Sequence, residues 1–180
     1  MSCRREVMAE KGKISIILFW QVFATVTFSM VGFFAAAESS IAVLDFELRD
    51  LTLAPNAPAE LKRTVSIKPL LEEKLQRAGF RIVAIGKARQ QQADGGVGYL
   101  FEHHDAAAAL AKNSGADYIV VGRLHKPSFL FAYLMVHLVD VDDGCLIGDY
   151  VTESKGNAHK LTLKAVENLV VKIRGTLDRN

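Results

Sequence analysis

The chain is short of residues that staple, stiffen or catalyse. Its 180 residues include two cysteines, four prolines and one tryptophan. It has no G-x-S-x-G elbow, so His125, His137 and His159 have no nucleophile turn to serve, and no hydrolase is expected. Gly95-Gly96-Val97-Gly98 lacks the Lys-Ser/Thr that follows a phosphate loop and reads as a flexible surface turn. Charge of one sign is also missing, with 22 basic residues against 20 acidic.

The first 37 residues do carry a pattern. Arg4, Arg5, Lys11 and Lys13 form a basic start, and Ile14 to Phe34 is an uncharged apolar run whose most polar member is Gln21. Ala35-Ala36-Ala37 then supplies an A-x-A site ahead of Glu38. The expectation is a cleavable signal peptide over 1–37 and a single periplasmic or secreted α/β domain over 38–180. The apolar run is longer than the roughly 7–15 residues of a usual signal core. It also meets the approximately 20 needed to cross a bilayer. The alternative is therefore an uncleaved inner-membrane anchor through residues 14–34. Both readings place the rest of the chain outside the cytoplasm.

Removing the leader changes the bulk properties. It holds four of the basic and two of the acidic residues, so the 143 that remain carry 18 of each and no net charge. The tryptophan, five of the ten phenylalanines and Cys3 go with it. A neutral domain gives no electrostatic case for nucleic acid or anionic lipid, and membrane contact is expected only through an uncleaved leader. Cys145 is then the sole thiol, which excludes an internal disulfide. It reads as a buried small residue beside a turn.

Hydrophobic periodicity predicts the elements. Ile41 to Leu48 reads as a strand with Leu44, Phe46 and Leu48 on one side. A loop follows, then a helix to Ala78 in which Leu61 and Val65 share a face and Pro69 kinks or restarts the turn. Gly79 stops it, and Phe80–Ile85 is a second strand. Ala88–Gly98 is the least structured stretch. Phe101–Asn113 is an alanine-rich helix, and Asp117–Leu124 a third strand. Phe129–Val141 is a fourth strand, with Leu130, Ala132, Leu134, Val136 and Leu138 on one side. Asp142-Asp143-Gly144 is a hairpin turn into Cys145–Ser154. Gly156 and Asn157 open a last helix whose stripe is Leu161, Ala165, Leu169, Ile173 and Leu177. The order β-α-β-α-β-β-β-α implies a mixed five-stranded sheet with helices on both faces, its first three strands parallel. The fourth strand's second side, with Phe129, Phe131, Tyr133, Met135 and Val139, is either covered or a partner surface.

Glu102-His103-His104-Asp105 is the densest cluster of metal-ligating types. His103, His104 and Asp105 are the candidate metal ligands, but neighbours on a helix point about 100° apart. Asp105 or His104 better suits a cap or first-turn role at the helix start. Asp45 and Glu47 are too isolated to form a carboxylate pair. No cofactor is expected. The adaptable-contact candidates are Gln91, Gly96 and Tyr99 in the loop, and Phe129, Phe131 and Tyr133 on the fourth strand.

Ile41-Ala42-Val43-Leu44-Asp45-Phe46, Gly115-Ala116-Asp117-Tyr118-Ile119-Val120-Val121-Gly122 and Val139-Asp140-Val141-Asp142-Asp143-Gly144, in that order, resemble a family of secreted bacterial proteins known only as a domain of unknown function. The same order is similar, at the level of fold, to the amino-terminal domain of the Tol translocation protein and to the curli secretion lipoprotein. Some members of the resembled family carry a cysteine pair near the second helix. This chain has His103-His104-Asp105 there, so no thiolate role carries over. Gly156-Asn157 matches a Gly-Asn that follows the hairpin in members. The resemblance implies no catalytic residue, and fold alone does not assign function. The expectation is a non-enzymatic exported protein, a binding or assembly accessory of a periplasmic or outer-membrane complex with an envelope protein as partner. The alternative is a periplasmic carrier of a small molecule or metal using His103 and His104.

Overall fold

A computed structural model describes residues 38–153 and 159–179. Residues 1–37, expected to be a signal peptide or an anchor, the Gly156-Asn157 helix entry and the side chain of His159 lie outside the described residues. The elements are β1 (Ser40–Val43), β2 (Glu47–Asp50), α1 (Pro58–Arg77), β3 (Arg81–Val83), α2 (Lys87–Ala93), α3 (Tyr99–Glu102), α4 (His104–Lys112), β4 (Tyr118–Lys126), β5 (Tyr133–Asp140), β6 (Leu146–Glu153) and α5 (His159–Leu177). The mixed sheet runs β3-β1-β4-β5-β6, with β2 also beside β4. β1, β2, β3 and β4 pair in parallel, and β4, β5 and β6 antiparallel.

Both faces are covered, giving three layers. On the first face Ile67, Leu71 and Leu75 of α1 and Ala165, Leu169 and Ile173 of α5 bury Ile41, Val43, Val120, Leu124, Leu134 and Leu138. On the second, Leu100, Phe101, Ala107 and Ala111 of α3 and α4 cover Ala42, Leu44, Val83, Ile119, Val121 and Val139. The mixed α/β class is as expected, with six strands rather than five.

The sixth strand arises from a bulge. Val43 pairs with Val120 and Glu47 with Arg123, four residues of advance against three on β4. One extra residue reverses which side faces which core. Leu44 therefore packs with the second face, while Phe46 and Leu48 pack with the first. The expectation that all three share a side is thereby corrected. Gly122 makes room for the turn: a Cβ there would fall 2.1 Å from Phe46 Cε1. Asp45, in the middle, has its N–H and C=O held by the side-chain amide of Gln90, at 2.8 and 3.0 Å. The stretch expected to be least structured thus begins with a helix, α2, that closes the bulge.

Other boundaries move for local reasons. Pro69 neither ends nor restarts α1, because it sits on the exposed side where the Val65 carbonyl it deprives of a partner meets solvent. The buried α1 positions are Glu60, Arg63, Thr64, Ile67, Leu71 and Leu75, so Leu61 and Val65 point outward. The alanine-rich helix is two pieces broken at His103, whose φ and ψ of −111° and 85° are not helical. β5 starts at Tyr133, since Pro127 and a bond from Phe131 N–H to Ser128 Oγ hold residues 127–132 in a loop. Leu130 is therefore exposed rather than in the strand's inward row. Cys145 is exposed, not buried. It lies in the hairpin turn outside β6, where Asp143 accepts from its N–H.

Candidate functional site

β2 and β4 run side by side and end together, with Asp50 paired to Lys126. Leu51 N–H donates to Lys126 O at 2.9 Å, so the two exit loops leave the sheet from one point. Neither loop carries a charge from Leu51 to Ala59 or from Pro127 to Ala132. Both are apolar at their tips: Leu53 is 97% exposed, Leu130 73%, Phe129 61% and Leu51 58%. Phe131 is exposed beside them, and Leu61 lies on the first turn of the helix that follows. Isolated exposed leucines need no explanation, but exposed apolar tips on two loops that leave the sheet at one point do. Burying each such side chain against a partner is worth about 1.5–3 kcal/mol.

Beneath these loops lies a buried ionic cluster. Lys126 Nζ donates to Glu60 Oε1 at 2.8 Å, Arg63 NH1 reaches Glu60 Oε2 at 3.3 Å, and Arg63 Nε donates to Thr162 Oγ1 at 3.0 Å. Glu60 is 1% exposed and all three charged groups are withdrawn from water. The cluster ties the end of β4, the start of α1 and the start of α5 to one carboxylate. At its edge Asp50 accepts from Thr52 N–H and Oγ–H at 3.0 and 2.7 Å. Burial works to raise the Asp50 carboxyl, but the Thr52 bonds and the Lys126 charge outweigh it and hold it below its ordinary value. The apolar end therefore stands on a fixed base.

The expected contact residues divide. Phe129 and Phe131 belong to this end, with the Lys126 ammonium 5.9 Å from the Phe129 ring centroid. Tyr133 is half-buried in β5, opposite Glu153. Gln91, Gly96 and Tyr99 are exposed along the α2–α3 connection. That connection approaches the apolar end at its tip. Gly98 N–H donates to Glu47 Oε1 at 3.0 Å, and Val97 and Gly98 line a cleft of about 480 Å³ with Asp50, Asn56 and Arg123. Leu51 and Leu53 carry no assignment from the sequence, and Leu130 is expected there as an inward strand residue rather than as a contact. The signal that could have found the first two is the uncharged stretch Leu51–Ala59.

The histidine region is built differently from a metal centre. His103 packs on Tyr99 with ring centroids 4.4 Å apart, while His104 turns inward to His137, Nε2 to Nδ1 2.9 Å. Asp105 is exposed in the first turn of α4. The three candidates do not converge. Among the described residues no group of three or more His, Cys, Asp or Glu is placed to hold a metal ion. His137 Nδ1 also lies 3.0 Å from Phe101 O, which can only accept, so the proton is assigned to Nδ1 and His104 Nε2 accepts beside it. Phe101 stacks on the His137 ring at 3.8 Å and carries the Arg123 guanidinium 3.6 Å from its own centroid. Burial, aided by the nearby His104, pushes His137 below its ordinary value against the opposing effects of Phe101, Asp149 and Glu102. The Cys145 thiol is pushed up by its bond to Asp143 and by that carboxylate's charge, which disfavours the reactive thiolate.

Residues 39–173 match the profile of a family described as "Protein of unknown function (DUF2380)". The chain belongs to that family. The expectation of a domain-of-unknown-function family is met. No curated protein matches the chain. Among solved structures, the hypothetical protein CT253 from Chlamydia trachomatis is similar with a TM-score of 0.51 and 11% identity, covering 79% of this chain and 100% of that one. TolB from Acinetobacter baumannii matches with a TM-score of 0.49 and 16% identity over 78% of this chain and 28% of its own. A PelC dodecamer from Paraburkholderia phytofirmans matches at 0.48 and 15% over 78% and 87%. At 11% identity, the likeness to CT253 speaks for the fold of this DUF2380 member and for nothing further.

Proposed function

We propose that this DUF2380 chain is a non-enzymatic exported protein, a binding or assembly accessory of a bacterial envelope complex. In this reading it docks end-on through Leu51, Leu53, Phe129, Leu130 and Phe131. The observation that carries the reading is the pair of exposed apolar loops that leave the sheet together above a buried ionic base. Such an arrangement holds exposed apolar groups in place ready to be buried, which lowers the ordering cost of association. The basic, apolar and A-x-A pattern of residues 1–37 supports export of the domain. The carrier alternative has less support, since His103 and His104 point to different neighbours.

The test is photo-crosslinking in intact cells from a reactive residue placed at Leu53 or Phe131. Gln76 serves as control, because it is exposed at the far end of α1, a helix of 20 residues and therefore about 30 Å long. One discrete envelope-protein adduct from the first two positions and none from Gln76 is expected. Equal adducts from all three positions, or repeated recovery of none, would overturn the reading.

A further inference from the structure

The sheet's edge strands are unlike, and β2, paired only to β4, is one of them beside β3 and β6. β3 is three residues long, a common way to keep an edge from recruiting strands. β6 is eight residues long, contains no proline and is also an edge. Its backbone orientation follows from the neighbouring ladder. Lys172 Nζ donates to Val151 O at 3.0 Å from α5, so the odd-numbered residues of β6 turn their peptide groups outward and the even-numbered ones bond to β5. Asp149 and Val151 therefore present N–H groups with no protein acceptor among the described residues.

A groove of about 600 Å³ runs between this edge and the outer side of α5. Leu161 and Val171 give it exposed apolar walls on α5, and Val151 lines it at the strand edge with its side chain on the opposite face, since Tyr150 beside it turns to Thr176 of α5. The Thr152 hydroxyl lines it, buried and without a hydrogen-bond partner among the described residues. Its lining charges are two lysines, Lys164 and Lys172, against the single carboxylate of Glu153. A strand edge beside a helix is the geometry in which an extended peptide adds as a further strand, backbone bonds giving affinity and alternate side chains specificity.

We propose that the β6–α5 groove takes an extended, acidic and apolar segment of a partner polypeptide as a seventh strand. Its amide groups pair with Asp149 and Val151, its carboxylates face α5 and meet Lys164 and Lys172 beside Leu161 and Val171, and its apolar side chains, on the opposite row, lie against Val151. Lys172 holds the place of the missing strand: on docking its ammonium passes from Val151 O to an incoming carboxylate, and Val151 O accepts a peptide N–H instead. This surface is separate from the apolar end, so either can fail alone.

The probe is an acetylated, amidated hexapeptide of alternating Glu and Val, compared with its Lys-Val counterpart and with a Glu-Val peptide N-methylated at alternate residues. Binding is followed by amide resonances of the protein purified from the envelope fraction. The Glu-Val peptide is expected to shift Asp149, Val151 and Val171, at least tenfold tighter than the Lys-Val peptide, and N-methylation to abolish the shifts. The double variant K164E/K172E should reverse the charge preference, with an unchanged spectrum elsewhere showing that it still folds. Equal binding of both peptides, no shift at millimolar peptide, or shifts confined to Leu53 and Phe131 would each overturn the proposal. So would sedimentation showing that the same resonances move on self-association, since the occupant would then be a second copy.

Discussion

The two ends of the sheet solve the same problem with opposite chemistry. At the end where β1 and β4 begin, nearby polar groups close breaks in the ladder. Asp117 Oδ2 accepts from Ser40 N–H and Ser40 Oγ–H, each at 2.7 Å, and the hairpin is closed by Asp142 N–H on Asp140 Oδ1 and by Gly144 at φ 70°. At the end where β2 and β4 finish, the loops are uncharged and their apolar tips meet solvent, while the charges beneath them are buried. The first end satisfies itself. The second pairs Glu60 with Lys126 and Arg63 inside and leaves apolar groups exposed outside, which is the arrangement a partner completes.

The sharpest way to break this contrast is to remove the carboxylate under the apolar end. Glu60→Ala leaves Lys126 and Arg63 withdrawn from water without the anion that holds them, and loss of one partner from a buried pair costs about 3–5 kcal/mol. Urea unfolding should show a loss of that size, with the midpoint lowered and the slope little changed. Replacing Glu60, Lys126 and Arg63 together by apolar residues of similar volume should recover much of it. A loss below about 1 kcal/mol in Glu60→Ala would mean that water already reaches the cluster.

The bulge divides the two ends, and Gly122 tests it. A Cβ at this position collides with the Phe46 ring rather than with a flexible chain end. Gly122→Ala is expected to cost about 1–3 kcal/mol by overpacking. Adding Phe46→Ala should relieve the clash at the expense of a cavity, so the double variant falls short of additivity. Additive losses would show that the ring already has somewhere to move.

Much of the polar end was legible in the sequence and little of the apolar end was. Asp142-Asp143-Gly144 states its turn because Gly144 needs a left-handed φ and the Asp side chains bond locally. The three-layer order follows from strands apolar on both sides. Leu44, Phe46 and Leu48 misled because period-two reading assumes no extra residue, and the side chain that stabilises the bulge, Gln90, is 45 residues away. Phe129 to Ala132 looked like strand because the loop is as apolar as the strand it feeds. Glu60, Arg63 and Lys126 gave no signal, since Glu60 and Arg63 read as an ordinary i,i+3 helix pair and the Lys126 that buries with them is 66 positions from Glu60.

Acid offers a smaller and graded test. Asp117 is held below its ordinary value by the Ser40 backbone and side-chain bonds, despite opposing burial. A carboxylate lowered in the folded state contributes stability that is full above the unfolded value, 3.8, and is lost as pH falls through the lower folded value. His137 acts higher on the scale. Its folded value lies below 6.5, so above that pH it is neutral in both states and contributes nothing. As pH falls through 6.5 the unfolded chain takes up a proton that the folded chain refuses, and stability declines. Thermal unfolding should therefore show a fall below pH 6.5 that His137→Phe reduces, and a separate fall below pH 4 that Asp117→Asn reduces. His125, also lowered by burial and by Arg49 and Arg123, adds to the first phase. A flat profile from pH 7 to 5 would contradict the burial of His137.

The smallest expected effect on stability belongs to the residues that matter most to the comparison. Leu53 is nearly bare and Phe131 is exposed, so little native packing is lost when either becomes glutamate. Exposed substitutions of this kind stay within about 0.5 kcal/mol. The double variant L53E/F131E should therefore unfold at the wild-type urea midpoint, within error, while losing the crosslinked adduct that an unsubstituted apolar end gives from Leu130. That combination separates docking from folding, because a carboxylate forced into an apolar interface must be desolvated without a partner. Charge-reversing variants at the polar end, such as Asp142→Lys, should leave the adduct intact. If L53E/F131E keeps its partner, the apolar end is a tolerated surface and the contrast between the two ends has no functional meaning.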